Sequence, residues 1–197
     1  MERPRLGLLR QAANQVRQYP ETLVPWGMTL SRPVLTEISM RAYERGWRKI
    51  SAAFLGLAGL SDAEGTAIKV LNIPNARTEA GAMADPIADR TMAAQVLTRV
   101  DIPKLPKRII TAAEGLISIG SIALLALAGK SEQKKVKPQV RTVGKARMVV
   151  HIAGAAALVL KDDDERVRNA AGWAMAGASV TAAVDYFTAA TRQLRNS

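Results

Sequence analysis

The sequence predicts an all-α fold: an integral membrane bundle of about six transmembrane helices, preceded by an amphipathic juxtamembrane helix. Three observations carry this prediction. Apolar runs rich in Ala and Gly recur along the chain, and no stretch shows the period-two alternation of a half-buried strand. The two runs at 109–129 and 170–187 lack the polar stripe that a solvent-exposed helix needs. Cations and anions are also sorted between the intervening loops in the way a membrane topology sorts them.

Length and composition narrow the classes. With 197 residues the chain can form one sizeable domain, or several membrane spans and little else. It has no Cys, which excludes disulfides and thiolate metal sites, and its one His, His151, excludes a multi-histidine zinc or iron centre. Lys and Arg number 28 against 17 Asp and Glu, a formal net charge of +11 that suits either nucleic acid or an anionic membrane surface. The two Phe, three Tyr and three Trp weaken any model built on stacked bases, and the expected partner is membrane lipid and not nucleic acid, with a soluble basic helical protein that binds nucleic acid as an alternative. The competing fold is a soluble basic helical bundle. Near the N-terminus the apolar residues are interleaved with Arg and Gln, unlike a cleavable signal.

Taken in order, residues 1–28 form the basic juxtamembrane segment. Its Leu6, Leu8, Leu9, Ala13 and Val16 are set among Arg3, Arg5, Arg10 and Arg17, a pattern suited to lying on a membrane face and equally to an ordinary amphipathic helix. A six-helix membrane domain over 29–191 comes next, then a short basic tail at 192–197. The first span begins near T-L-S-R-P-V-L at 29–35 and runs through Glu37, Arg41, Glu44 and Arg45. Each central charge costs about 2.5–3.5 kcal/mol on insertion scales. Glu37 and Arg41, four apart, are placed to pair and soften that cost.

Residues 50–60 are apolar or small and end in S-D-A-E-G at 61–65. Past a linker containing Pro74, a helix is expected through 81–97, and Pro103 and Pro106 break the chain beyond it. The run 109–129, broken only by Glu114, has the length a bilayer core requires. A loop with Lys130, Lys134, Lys135, Lys137, Arg141, Lys145 and Arg147 leads to the apolar 148–160, which extends backwards into that loop. An acidic turn at 161–168 and the small-residue run 170–187 complete the chain. With the N-terminus inside, the basic loop and both termini face the cytoplasm and the acidic turn faces out, as the positive-inside rule prefers; the 101–108 loop disagrees. This makes the protein a multi-pass cell-membrane protein. Asp62, Glu64, Asp85 and Asp89 then share the cytoplasmic ends of the second and third spans. Small-residue spans also permit a homodimer.

The stretch 81–89, G-A-M-A-D-P-I-A-D, is the strongest candidate site. Gly81, Asp85 and Asp89 are four apart and stack along one helical ridge. Carboxylates one turn apart can share a divalent cation, or divide into a ligand and a base. The competing view is a solvent-facing helix start, with Pro86 at the first helical position.

At these residues the sequence resembles the CDP-alcohol phosphatidyltransferases, whose signature is D-x-x-D-G-x-x-A-R followed after eight or nine residues by G-x-x-x-D-x-x-x-D. The second half is present in full, and D-P-I-A-D-R at 85–90 is close to the family wording. T-L-S-R at 29–32, G-K-A-R at 144–147 and A-V-D-Y-F-T-A-A-T-R-Q-L at 183–194 are similar to other family elements, so the likeness spans about 29–195. The first half departs. With Gly65 on the motif glycine, Glu64 stands at the second Asp and Ser61 at the first, Lys69 replaces Arg, and the spacer to Gly81 is eleven residues.

The resemblance implies transfer of a phosphatidyl group from CDP-diacylglycerol to a small alcohol or phosphoalcohol, glycerol 3-phosphate above all, with release of CMP in phospholipid biosynthesis. It implies magnesium or manganese held by Asp62, Glu64, Asp85 and Asp89, with Asp89 also the catalytic base. Gly65 and Gly81 would admit the cytidine nucleotide, and Lys69 would meet phosphate. The departures leave a second expectation open, a catalytically impaired homologue that acts as a binding or assembly partner. Outside the motif, His151 is expected to make a structural interhelical hydrogen bond, 162–164 a solvated turn, and Gly120 a packing contact.

Overall fold

The computed structural model describes the backbone of residues 23–61, 79–128 and 142–195, with side chains described over most of these stretches. Within them lie six helices and no strand: α1 (Leu23–Glu44), α2 (Arg48–Leu60), α3 (Glu79–Arg99), α4 (Lys104–Ala128), α5 (Thr142–Leu160) and α6 (Glu165–Arg195). The chain divides into two compact units, Met1–Val96 and Leu97–Ser197. The expected juxtamembrane helix at 1–28 falls mostly outside the described residues.

In the first unit α1 and α2 form a helical hairpin. Gly46 closes α1 in the left-handed region (φ +77°), which costs a residue without Cβ nothing. Its N–H donates to the Tyr43 carbonyl at 2.8 Å and that of Trp47 to Ala42 at 2.9 Å, the paired bonds of a Schellman ending. The Arg45 guanidinium lies 5.7 Å from the Trp47 ring centre and braces the turn. Across the hairpin the fully buried Ser39 donates to the Ser51 carbonyl at 2.7 Å, with the two hydroxyls 2.8 Å apart. Small polar residues here let the two backbones approach closely.

The burial pattern of α1 inverts that of a soluble helix. Thr29, Arg32, Thr36 and Ser39, at helical spacing, are buried, while Leu30, Val34 and Ile38 are exposed. Water would drive the opposite arrangement. The expected Glu37–Arg41 pair forms, with Nε of Arg41 2.9 Å from the Glu37 carboxylate.

In the second unit α6 packs against both α4 and α5. Ala113, Ile117, Ala182 and Ala183 form a core flanked by Val143 and Tyr186. Glycines set the closest approaches: a Cβ at Gly154 would lie 2.7 Å from Met175, and one at Gly120 2.9 Å from Tyr186. Gly120 is thus a packing position, as expected. Asp164 caps α6, its carboxylate accepting from the N–H groups of Arg166 (2.9 Å) and Val167 (3.3 Å). Trp173, Val180, Val184 and Phe187 point outward along one face of α6, while Ala171, Met175, Ala176, Ala182 and Ala183 are buried. Large side chains out and small ones in repeats the inversion seen in α1.

Among the described residues one helix, over Val143–Leu160, is long and apolar enough to cross a membrane by length and composition alone. It is the 148–160 run extended backwards. Residues 109–128 and 170–187 are helical, but neither helix passes that measure within the described residues, so six independent spans are not established by hydropathy.

Candidate functional site

Helix α3 starts at Glu79 and continues through Pro86 to Arg99, which removes the view of Pro86 as the first helical residue. Gly81, Asp85 and Asp89 therefore occupy one continuous helix, a turn apart. The side chain of Asp85 is outside the described residues, as are Asp62, Glu64, Gly65 and Lys69 altogether. Asp89 lies among the described residues, and its contact with Arg32 gives the site its geometry.

Nη1 of Arg32, on α1, donates to Oδ1 of Asp89, on α3, at 3.0 Å. Nη2 of the same guanidinium reaches the Ser61 carbonyl at the end of α2 at 3.4 Å, a longer contact. One arginine fork thus joins three helices of the first unit. The Arg32 side chain is 2% exposed and that of Asp89 22%, so the cation is enclosed while the carboxylate keeps a face open to the surroundings. A buried guanidinium without an anion would be strongly unfavourable, which makes the pairing a requirement of the local fold.

Ser61, at the position where the motif carries its first Asp, is buried, and its hydroxyl donates back to the Ala58 carbonyl at 2.7 Å. It closes α2 instead of presenting a ligand. Beside this cluster, Glu37 accepts from Arg41 and from Gln95 Nε2 at 3.4 Å, along an open groove of about 400 Å³ that Pro33, Val34 and Ile38 also line.

Local spacing assigns Arg32 no role. Its signal is present in the T-L-S-R wording and in an arginine placed within an otherwise apolar and hydroxylic helix face. An intramembrane-type cation of that kind calls for a named partner.

A second polar cluster lies within the second unit. Nη1 of Arg147 contacts both Glu114 oxygens at 2.6 and 2.7 Å. Ser179 Oγ is 3.4 Å from Glu114 and 2.8 Å from His151 Nε2, which also lies 3.3 Å from the Met175 carbonyl. His151 is thus an interhelical hydrogen-bonding group, as expected. Serine, histidine and carboxylate invite comparison with a nucleophilic relay, but that relay needs the carboxylate on the far ring nitrogen. Here the carboxylate meets the serine, and Ser179 is fully buried. The cluster is a polar clasp between helices.

Among the described residues no three of His, Cys, Asp and Glu gather at metal-binding distance. The candidate ligands other than Asp89 have side chains outside the described set. In donor chemistry the set is all hard carboxylate oxygen, which suits magnesium or manganese, and the open face of Asp89 suits a polar ligand.

In the comparisons with known proteins, the CDP-alcohol phosphatidyltransferase family model matches residues 22–184. No curated protein and no solved structure matches the chain significantly.

Proposed function

The chain belongs to the CDP-alcohol phosphatidyltransferase family, and on that premise we propose that it transfers a phosphatidyl group from CDP-diacylglycerol to glycerol 3-phosphate. The family is one of membrane-associated transferases whose members typically use divalent metals. The observation that carries the reading is Asp89, held at a fixed position on the intact G-x-x-x-D-x-x-x-D ridge with its carboxylate still accessible.

The chemistry asked of these residues is modest. The acceptor hydroxyl oxygen forms a bond to the phosphorus that bears diacylglycerol. The bond from that phosphorus to the bridging oxygen breaks, and CMP leaves with the electron pair. Asp89 takes the hydroxyl proton, a contribution of about 10²–10⁴-fold for a positioned base. Asp62, Glu64, Asp85 and Asp89 would hold magnesium or manganese, whose charge, when bound, offsets that of the diphosphate. Gly65 and Gly81 would let the nucleotide approach the backbone, and Lys69 would meet a phosphate oxygen. Glycerol 3-phosphate as acceptor is supported by G-K-A-R at 144–147 and by the C-terminal wording.

We read the site as lying in a multi-pass cell-membrane bundle of about six spans, with the ridge and both termini cytoplasmic and a homodimer permitted. The inverted burial of α1 and the outward large side chains of α6 support this: a soluble protein rarely shows such contiguous apolar faces.

Ser61 favours a second reading, an impaired relative kept as a binding partner, because its hydroxyl is committed to Ala58. The test is CMP release by detergent-purified protein from CDP-diacylglycerol with magnesium or manganese across an acceptor panel. Release that depends on glycerol 3-phosphate supports the enzyme. Silence with every acceptor supports the impaired relative.

A further inference from the structure

We propose that the turn between α1 and α2 is a docking surface for anionic phospholipid headgroups, held by Arg45 and Lys49 beside an exposed Trp47. The inference rests on the reading of the chain as a membrane bundle and is independent of the transfer chemistry.

The polarity of the hairpin changes abruptly at this turn. Past Lys49, α2 reads I-S-A-A-F-L-G-L-A-G-L, with no charge as far as Leu60. Ile50, Ala53, Leu57 and Leu60, spaced three and four apart, are exposed along one face of it. In a bilayer, hydrocarbon covers a contiguous apolar face of this kind. At the turn the composition reverses, with Arg45, Arg48 and Lys49 against Glu44 alone within 44–49. Cations and an aromatic ring at the end of an apolar helix face mark the level where hydrocarbon gives way to headgroups.

Trp47 falls at that level. Its side chain is 54% exposed. An indole wants apolar surroundings for its ring and an acceptor for its N–H, and the headgroup boundary supplies both. The left-handed Gly46 and the paired bonds of the Schellman ending fix the backbone on either side of it. The Arg45 guanidinium, 5.7 Å from the ring centre, is thereby kept at the same depth as the ring. Glu44 and Arg48 have interactions of their own. Arg45 and Lys49 are exposed, and among the described residues neither meets a carboxylate. Two such cations side by side favour a headgroup of net negative charge over a zwitterionic one. The turn lies about 20 Å along α1 from Arg32, at about 1.5 Å per residue, so a lipid held here is not one engaged at the Asp89 ridge.

Trp47 is itself the reporter. The full chain carrying Trp26→Phe and Trp173→Phe keeps Trp47 as its one tryptophan. It is reconstituted in mixed vesicles of phosphatidylcholine and phosphatidylglycerol. The acyl chains of one lipid or the other are brominated near the headgroup, at equal mole fraction, and quenching of the fluorescence is read. Brominated phosphatidylglycerol is expected to quench Trp47 at least about 1.5-fold more than brominated phosphatidylcholine. Adding Arg45→Gln with Lys49→Gln should bring the ratio to about 1, and high salt should lower it in the starting protein. The exchange Arg45→Lys with Lys49→Arg keeps both charges and should keep the preference. Folding of each protein is checked by gel filtration.

Equal quenching by the two lipids in the starting protein overturns the inference, and so does a preference that survives in the Gln pair. If the Gln pair does not fold, a preference unchanged at high salt overturns it. A companion protein that keeps only Trp173, exposed on α6, separates this from the membrane reading. Quenching of Trp173 without a lipid preference at Trp47 removes the headgroup site and leaves the membrane reading standing. Quenching of neither tryptophan by either lipid removes both.

Discussion

Arg32 with Asp89 in the first unit, and Arg147 with Glu114 in the second, are both arginine–carboxylate pairs held between helices. In the second pair the exposures are nearly balanced, 14% and 12%, and the carboxylate passes its remaining capacity inward to Ser179 and on to His151 and the Met175 carbonyl. In the first pair they are unequal, 2% and 22%, and the open side belongs to the carboxylate. A pair whose neighbours are all protein groups contributes to helix packing. The pair that encloses the cation and leaves the anion partly exposed is the one on which the proposed function rests. The carboxylate motif marks the first cluster, and of the second only Arg147 falls in a family-like element, G-K-A-R; burial separates the two on independent grounds.

Arg147→Met leaves Glu114 buried without its cation and is expected to cost about 3–5 kcal/mol, seen as a large loss of melting temperature in detergent. Replacing both partners by apolar residues, Glu114→Leu with Arg147→Met, should recover most of that loss. A double variant as unstable as the single one would mean that the clasp does more than satisfy itself.

Gly154→Ala comes next. Its methyl would meet Met175 at 2.7 Å, so overpacking of about 1–3 kcal/mol is expected, relieved by Met175→Ala. Ser179→Ala removes one bond to His151 and should cost about 1 kcal/mol while CMP release per folded protein is unchanged. Lost turnover in a fully folded Ser179→Ala protein would move the chemistry to the second unit. The smallest effect is expected at Arg41→Ala in the first unit. This arginine is 68% exposed, and its pair with Glu37 is worth no more than about 0.5 kcal/mol.

Much of the fold is legible in the sequence. Helical periodicity locates every described helix, because Ala- and Gly-rich runs carry a signal that needs no tertiary context. The Glu37–Arg41 pair and the structural role of His151 come from spacing and from the lack of ligand partners. Boundaries are harder: α6 extends from Glu165 to Arg195, well beyond the apolar 170–187, and its start is set by the Asp164 cap, which hydropathy ignores. Pro86 resembles a helix start because proline is favoured there, yet α3 begins at Glu79.

The site is legible only in part. The ridge on α3 is visible because its spacing lies within one helix. Arg32 is not, because its partner is 57 residues away in sequence and no local pattern joins T-L-S-R to Asp89. The inward-facing polar ridge of α1 is also hidden. A hydropathy profile averages Thr29, Arg32, Thr36 and Ser39 with Leu30, Val34 and Ile38, and does not record which set faces in.

The central claim is that the cluster with the accessible carboxylate is the catalytic one. The most direct measurement is CMP release from CDP-diacylglycerol by wild type and Asp89→Asn, each normalised to folded protein, with Ser179→Ala beside them. Asparagine keeps the volume and can still accept a hydrogen bond from Arg32, but it cannot take the proton. Asp89→Asn is expected to lose at least about 100-fold, and Ser179→Ala to release CMP at near the wild-type rate. Release by Asp89→Asn at the wild-type rate would contradict the claim.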